Sequence, residues 1–142
     1  MLTETESPVV AANRALARTF FAEQDRLKGG PAPDLCAAGY QAVLGGSPPM
    51  DRAGHERFAK SFYGAFDGLH HTIEDVFATA DRAAVRFVLR GVHTGDFFGL
   101  PASGRSITVA ANILLHLSDG KVSLLLGVFD EAGLFRQIGP AQ

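Results

Sequence analysis

Two apolar runs flank Asp119-Gly120-Lys121, and neither alternates with polar residues as a half-exposed strand would. Residues 106–117 (SITVAANILLHL) precede the turn and residues 121–129 (KVSLLLGVF) follow it. An Asp-Gly pair between β-branched and leucine-rich runs predicts a hairpin. Read as a three-residue loop, Ser118-Asp119-Gly120 with Gly120 in a bulge, it sets Leu117 against Lys121 and His116 against Val122. Ile113, Leu115, Leu117, Leu125 and Phe129 then share one face, and Leu114, Leu124, Leu126 and Val128 share the other. Strands apolar on both faces must be covered on both. Helices of the chain can cover one. The other predicts a homodimer through the sheet of 106–117 and 121–129, since a large exposed apolar patch is uncommon on a monomer.

The chain supplies its helices first. Ser7-Pro8 reads as an N-cap followed by proline at the first helical position. Val9, Ala12, Leu16, Phe20, Glu23 and Leu27 follow at helical spacing, up to a stop at Lys28-Gly29-Gly30-Pro31. A short helix is predicted over 34–40, a loop over 45–49, and a third helix capped by Asp51, with Phe58, Phe62 and Phe66 on one face and Asp67-Gly68 ending it. Strands are predicted over 70–79 and 83–94; in the second, Val85, Phe87 and Leu89 face one way and Arg86 and Arg90 the other. Helices followed by an antiparallel sheet make an α+β domain of 142 residues, with 1–7 as a tail. The predicted cleft lies between the helices and the sheet, with Phe20, Phe62, Phe87 and Leu89 among its walls, and suits a small apolar molecule.

Composition removes several function classes. A formal net charge of −2 gives no electrostatic case for nucleic acid or an anionic membrane. One cysteine, Cys36, excludes an internal disulfide and a cysteine-rich zinc site. The opening MLTETESP is acidic and polar where a secretory leader is basic and then apolar, and the apolar runs are too short to cross a bilayer. These features predict a cytoplasmic protein. No phosphate-binding glycine loop opens a helix, and no Gly-x-Ser-x-Gly elbow occurs. His70 and His71 are adjacent on a strand and point to opposite faces, so they do not share a metal, and no metal is predicted. Lys28, Lys60 and Lys121 lie at a helix end, on a helix and in a turn, unsuited to Schiff-base chemistry.

The remaining ionisable candidates are His116, His93 and Asp130. In the predicted register His116 and Asp130 lie about 27 Å apart along the ladder, too far to act together. His93 falls beside Ile107, and Asp130 beside Thr108, about 10 Å apart at one end of the sheet. A histidine and a carboxylate at an apolar mouth can move a proton on a small substrate, which makes Asp130 and His93 the candidate catalytic residues. Asp130 also precedes Glu131-Ala132-Gly133-Leu134-Phe135 and has a second reading as a helix cap.

The order of motifs over 91–139 carries more than any one of them. A G-x-H-x-G-x-F-x-G-x-P stretch from Gly91 to Pro101 is followed by the Asp119-Gly120-Lys121 turn and by Asp130-x-x-Gly133-x-x-x-Gln137-x-Gly139. Leu69 to Asp75 precedes them as a first strand. This order resembles the SnoaL-like polyketide cyclase family, which implies the cone-shaped α+β fold of nuclear transport factor 2. The resemblance further implies ring closure by intramolecular aldol chemistry without metal or cofactor, using an aspartate on the last strand and a histidine on the strand before it. Those positions are Gly127 and Ile113 in this chain, neither of which carries a proton-transferring group. The family's frequent tryptophan near the centre of the last strand is Leu126 here, which implies a more aliphatic ligand contact. Three functions remain. One is a cofactor-independent cyclase or isomerase acting on a carbonyl or ester-like substrate. The second is a non-catalytic dimer that binds a small apolar ligand. The third is another reaction of this fold, such as ketosteroid isomerisation, dehydration or epoxide hydrolysis. The last of these would need an Asp–Arg–Asp group, whereas Arg86 and Arg90 face outward.

Overall fold

The computed structural model describes residues 6–139. Within it the first helix, α1 (Pro8–Leu27), begins as predicted, with the Ser7 hydroxyl accepting from the Val10 N–H at 3.3 Å. Residues 1–5 of the expected tail lie outside the described residues, while Glu6 pairs with Arg14. The buried stripe of α1 is Asn13, Ala17, Phe20, Phe21 and Gln24, about one residue round from the apolar one read from the sequence. Two polar side chains face inward and displace it. The Asn13 amide donates to the carbonyls of Thr79 and Ala80 at 2.9 and 3.0 Å, closing the turn of a neighbouring hairpin. Val9 and Leu27, assigned inward, are exposed.

The predicted helix over 34–40 is instead a short 3-10 turn at Pro33–Leu35 and a strand, β1 (Cys36–Leu44). Its alanines favour a helix in isolation. Here Tyr40 and Ala42 turn inward, Gly39 takes φ +78°, and the strand runs parallel to the otherwise open edge of the sheet. Asp51 caps α2 (Arg52–Ala65) by accepting from the Gly54 N–H at 2.7 Å. The helix passes directly into β2 (Phe66–Ala78), which starts four residues earlier than predicted. Asp67-Gly68 is therefore a bulge within a strand, with Gly68 at φ +65°, not a helix stop.

β3 (Arg82–His93), β4 (Ser106–Ser118) and β5 (Lys121–Phe129) complete a five-stranded sheet in the order β1-β5-β4-β3-β2. It is antiparallel except where β1 meets β5. The β4–β5 turn has two residues, Asp119 and Gly120, both with positive φ (52° and 72°), the geometry that matches strand twist. Ser118 thus faces Lys121, and a bulge at Ser123 sets His116 against Leu124. These two one-residue corrections move Asp130 from Thr108 to Ala110, whose carbonyl accepts its N–H at 2.9 Å. His93 likewise bonds to the Arg105 carbonyl rather than pairing with Ile107. Both displacements are by two residues, so each side chain keeps its predicted face.

The inner face carries Val85, Phe87, Ala111, Ile113, Leu115 and Leu125 under α1, and α2 packs beside it over β1 and β2. Burying a Phe or Leu there contributes roughly 1.5–3 kcal/mol. The loop after β3 closes one end: Thr94 and Gly95 both donate to the Ala65 carbonyl, and a Cβ at Gly95 would lie 2.8 Å from the Gly64 oxygen. A final helix, α3 (Glu131–Ile138), buries Leu134 and Ile138 against Phe62, Phe66 and Ile107. Its Gln137 amide bonds both the N–H and the C=O of Thr108, and Arg105 donates to the Gly139 carbonyl at 2.9 Å. Among the described residues no helix is long and apolar enough to cross a membrane.

Candidate functional site

Between α1, α2 and the inner face of the sheet lies a cavity of about 80 Å³. Its wall is mostly apolar: Phe58, Phe62, Phe87, Leu89, Ile113 and Phe129 contribute much of it. Four polar side chains interrupt that wall, namely Gln24 from α1, His55 and Tyr63 from α2, and His71 from β2.

His71 is tied to α1 by two bonds to one carboxylate. Its backbone N–H donates to Asp25 Oδ2 at 2.9 Å, and its ring Nδ1–H donates to Asp25 Oδ1 at 2.7 Å. The Tyr63 hydroxyl donates to the same Oδ1 at 2.7 Å. Burial pushes the Asp25 carboxyl up, but the His71 hydrogen bond and charge, with Tyr63, outweigh it and hold the group below its ordinary range. Burial and the Asp25 carboxylate push the Tyr63 phenol up. The imidazole is wedged between Phe21 and Phe87, at ring separations of 5.2 and 4.6 Å. Asp25 is the one partner of the His71 ring among the described residues, so Nε2 is left free.

His55 reaches the cavity from α2. Its Nδ1 is 2.8 Å from the Tyr40 hydroxyl of β1, and the two rings are nearly coplanar in orientation. Burial, with a smaller push from the charge of His71, lowers its pKa to about 4. Burial raises that of Tyr40. Gln24 is 4% exposed, and its Nε2 has no partner among the described residues.

The sequence-predicted residues divide between this cavity and other places. Phe62, Phe87 and Leu89 line it. Phe20 is fully buried behind it against Phe21 and Tyr40, and Leu126 lies in a hollow on the outer face with Leu114 and Val128. Asp130 caps α3, its Oδ1 accepting from the Gly133 N–H at 2.9 Å, and borders another outer hollow with Asn112 and Phe135. His93 is 0% exposed against Phe66. Its Nδ1 accepts from the Ser103 N–H at 3.2 Å and lies 2.9 Å from the Ser103 hydroxyl, which anchors the loop. Neither Asp130 nor His93 is among the residues lining the cavity. Gly127 and Ile113 pair directly across the inner face, and a Cβ at Gly127 would lie 2.5 Å from Ile113 Cδ1 and 2.9 Å from Leu44 Cδ2. Aliphatic side chains fill the wall where a last-strand carboxylate would project.

Sequence reading set His71 on the opposite strand face from His70 but did not find Asp25, Tyr63, His55, Tyr40 or Gln24 as its companions. Their pairing is long-range, with Asp25 and His71 separated by 46 positions, and no local spacing signals it. A polar Gln24-Asp25 pair at the end of an otherwise apolar helix face was the one available hint.

Three solved structures share the architecture. A protein from Jannaschia sp. CCS1 assigned as a SnoaL-like polyketide cyclase superposes with a TM-score of 0.84 at 20% identity, covering 98% of this chain and 100% of its own. AclR from Streptomyces galilaeus, assigned as a hydroxylase, gives 0.83 at 20% identity, covering 94% and 99%. IdmH from Streptomyces antibioticus, assigned as a polyketide cyclase, gives 0.72 at 22%, covering 94% and 100%. No curated protein sequence matches the chain. The family model for SnoaL-like polyketide cyclases matches residues 14–138, nearly the whole sequence, and the chain belongs to that family.

Proposed function

We propose that the chain is a cofactor-independent acid/base enzyme acting on a small, largely apolar carbonyl compound, with His71 as the proton-transferring group. The observation that carries this reading is the Asp25–His71 pair at 2.7 Å on the wall of an apolar cavity. With Nδ1–H committed to the carboxylate, the lone pair of the ring's uncharged form lies at Nε2. Asp25 then stabilises the imidazolium formed when Nε2 takes a proton, the division of labour seen in other carboxylate–histidine pairs. Tyr63 holds the carboxylate in place, as a positioning group must. The fold itself does not select the reaction, as relatives assigned as cyclases and as a hydroxylase illustrate.

The outer face supports an assembly. Val128 is 65% exposed near the middle of the sheet, with Leu114 and Leu126 beside it. A second copy of this chain is the occupant the reading assigns to that face, giving a homodimer with one cavity per subunit.

The catalytic part is tested with 2-tetralone, an apolar ketone with removable α-protons. In D2O, followed by ¹H NMR, the protein is expected to exchange the α-protons well above the buffer rate. Exchange at the buffer rate would count against the reading.

A further inference from the structure

We propose that His55 is a neutral hydrogen-bond donor for the ligand's carbonyl oxygen, fixed in that tautomer by Tyr40, so that the cavity is built to enolise a ketone or thioester. This rests on the reading of His71 as the base.

The tautomer follows from the Tyr40 hydroxyl. Tyr40 is 3% exposed, and His55 Nδ1 is its hydroxyl's one partner among the described residues. A buried phenol O–H needs an acceptor, so it donates to Nδ1, which therefore carries no hydrogen. In the neutral ring the hydrogen lies on Nε2, and Tyr40 is the ring's one partner among the described residues. Burial keeps the ring neutral across the physiological range. The buried Gln24 Nε2 on the same wall, without a partner among the described residues, is a second sign that the cavity expects a polar atom from its ligand.

The two histidines have opposite roles set by their partners. Asp25 accepts from Nδ1 of His71 and leaves a lone pair at Nε2. Tyr40 donates to Nδ1 of His55 and leaves a hydrogen at Nε2. In the enolising step His71 Nε2 takes a proton from the α-carbon. The C–H electron pair becomes the C=C bond, and the carbonyl π pair moves onto oxygen, where it accepts from His55 Nε2–H. Return of the proton restores the ketone, or the enolate carbon bonds to a second carbonyl carbon, whose π pair moves onto its oxygen and takes the proton from His71. A neutral imidazole suits the donor role because it stabilises charge developing on oxygen without holding a proton that His71 would otherwise have to compete for.

The test uses ¹⁵N-labelled protein and 2-tetralone. Long-range ¹H–¹⁵N NMR at neutral pH is expected to show His55 in the Nε2–H form, with its Nε2 resonance moved by 2-tetralone in both the wild type and His71→Gln. Tyr40→Phe should release the ring to a tautomer mixture. His55→Asn keeps a partner for Tyr40 but withdraws the donor, and should slow α-proton exchange about 100-fold. His55→Gln, whose amide reaches the Nε2 position, should recover part of that loss. An Nδ1–H form in the free protein, a resonance indifferent to 2-tetralone, or wild-type exchange in His55→Asn would overturn the proposal. Full exchange in His71→Gln with a responsive His55 would instead remove the base and leave the donor standing.

Discussion

Burial keeps the His55 imidazole uncharged, and the same burial gives the protein a pH dependence. The folded-state pKa of about 4 lies below the ordinary value of 6.5, so the unfolded chain takes up the proton first as pH falls. The His55 contribution should therefore decline between about pH 6.5 and pH 4 and level off below, a loss of about 3 kcal/mol. Asp25 acts at lower pH: its carboxyl is held below the ordinary range, so its contribution is present above the unfolded value and lost as pH falls through the folded one. Urea denaturation at neutral pH and again near pH 4.5 should show the decline in the wild type and a shallower one in His55→Asn. Equal declines would mean that His55 titrates alike in the folded and unfolded states. At this scale the sequence is readable where a residue's chemistry is decisive alone. Gly127 and Ile113 carry no proton in any fold. Asp25 and His71 become a pair only when α1 lies across β2.

Among the elements, α3 depends on its cap. The Asp130 carboxylate satisfies the Gly133 N–H, one of the unpaired donors at the helix start. Asp130→Ala should cost about 1 kcal/mol, whereas Asp130→Asn, which also caps, should cost a few tenths at most. Thermal denaturation of both variants separates them, and equal losses would rule out capping as the residue's structural role. The elements were legible where local chemistry and tertiary packing agree, as at the Ser7 and Asp51 caps and the Asp119-Gly120 turn. They were misread where the two conflict. Residues 36–42 are helix-prone in isolation but complete a sheet edge, and the apolar stripe of α1 turned because Asn13 and Gln24 face inward. The registers at His93 and Asp130 were off by two, so their face assignments survived while their neighbours changed.

The whole molecule divides its apolar surface between a closed inner face with a cavity and an outer face left open around Val128. The proposed dimer predicts that sedimentation at micromolar concentration gives twice the monomer mass and that Val128→Lys gives the monomer. Monomeric wild type would refute the assembly without touching the cavity. The overall architecture was legible from motif order and from strands apolar on both faces. The cavity walls Phe62, Phe87 and Leu89 were legible too, whereas the proposed proton-transferring group was not, because the family's acid/base wall is aliphatic here and the group proposed in its place comes from the helices and β2. That exchange of walls is the central claim, and α-proton exchange of 2-tetralone tests it most directly by comparing His71→Gln with Asp130→Asn. The account predicts that His71→Gln falls to the buffer rate while Asp130→Asn keeps the wild-type rate. Loss of exchange in Asp130→Asn with full exchange in His71→Gln would contradict it and return the chemistry to the end of the last strand.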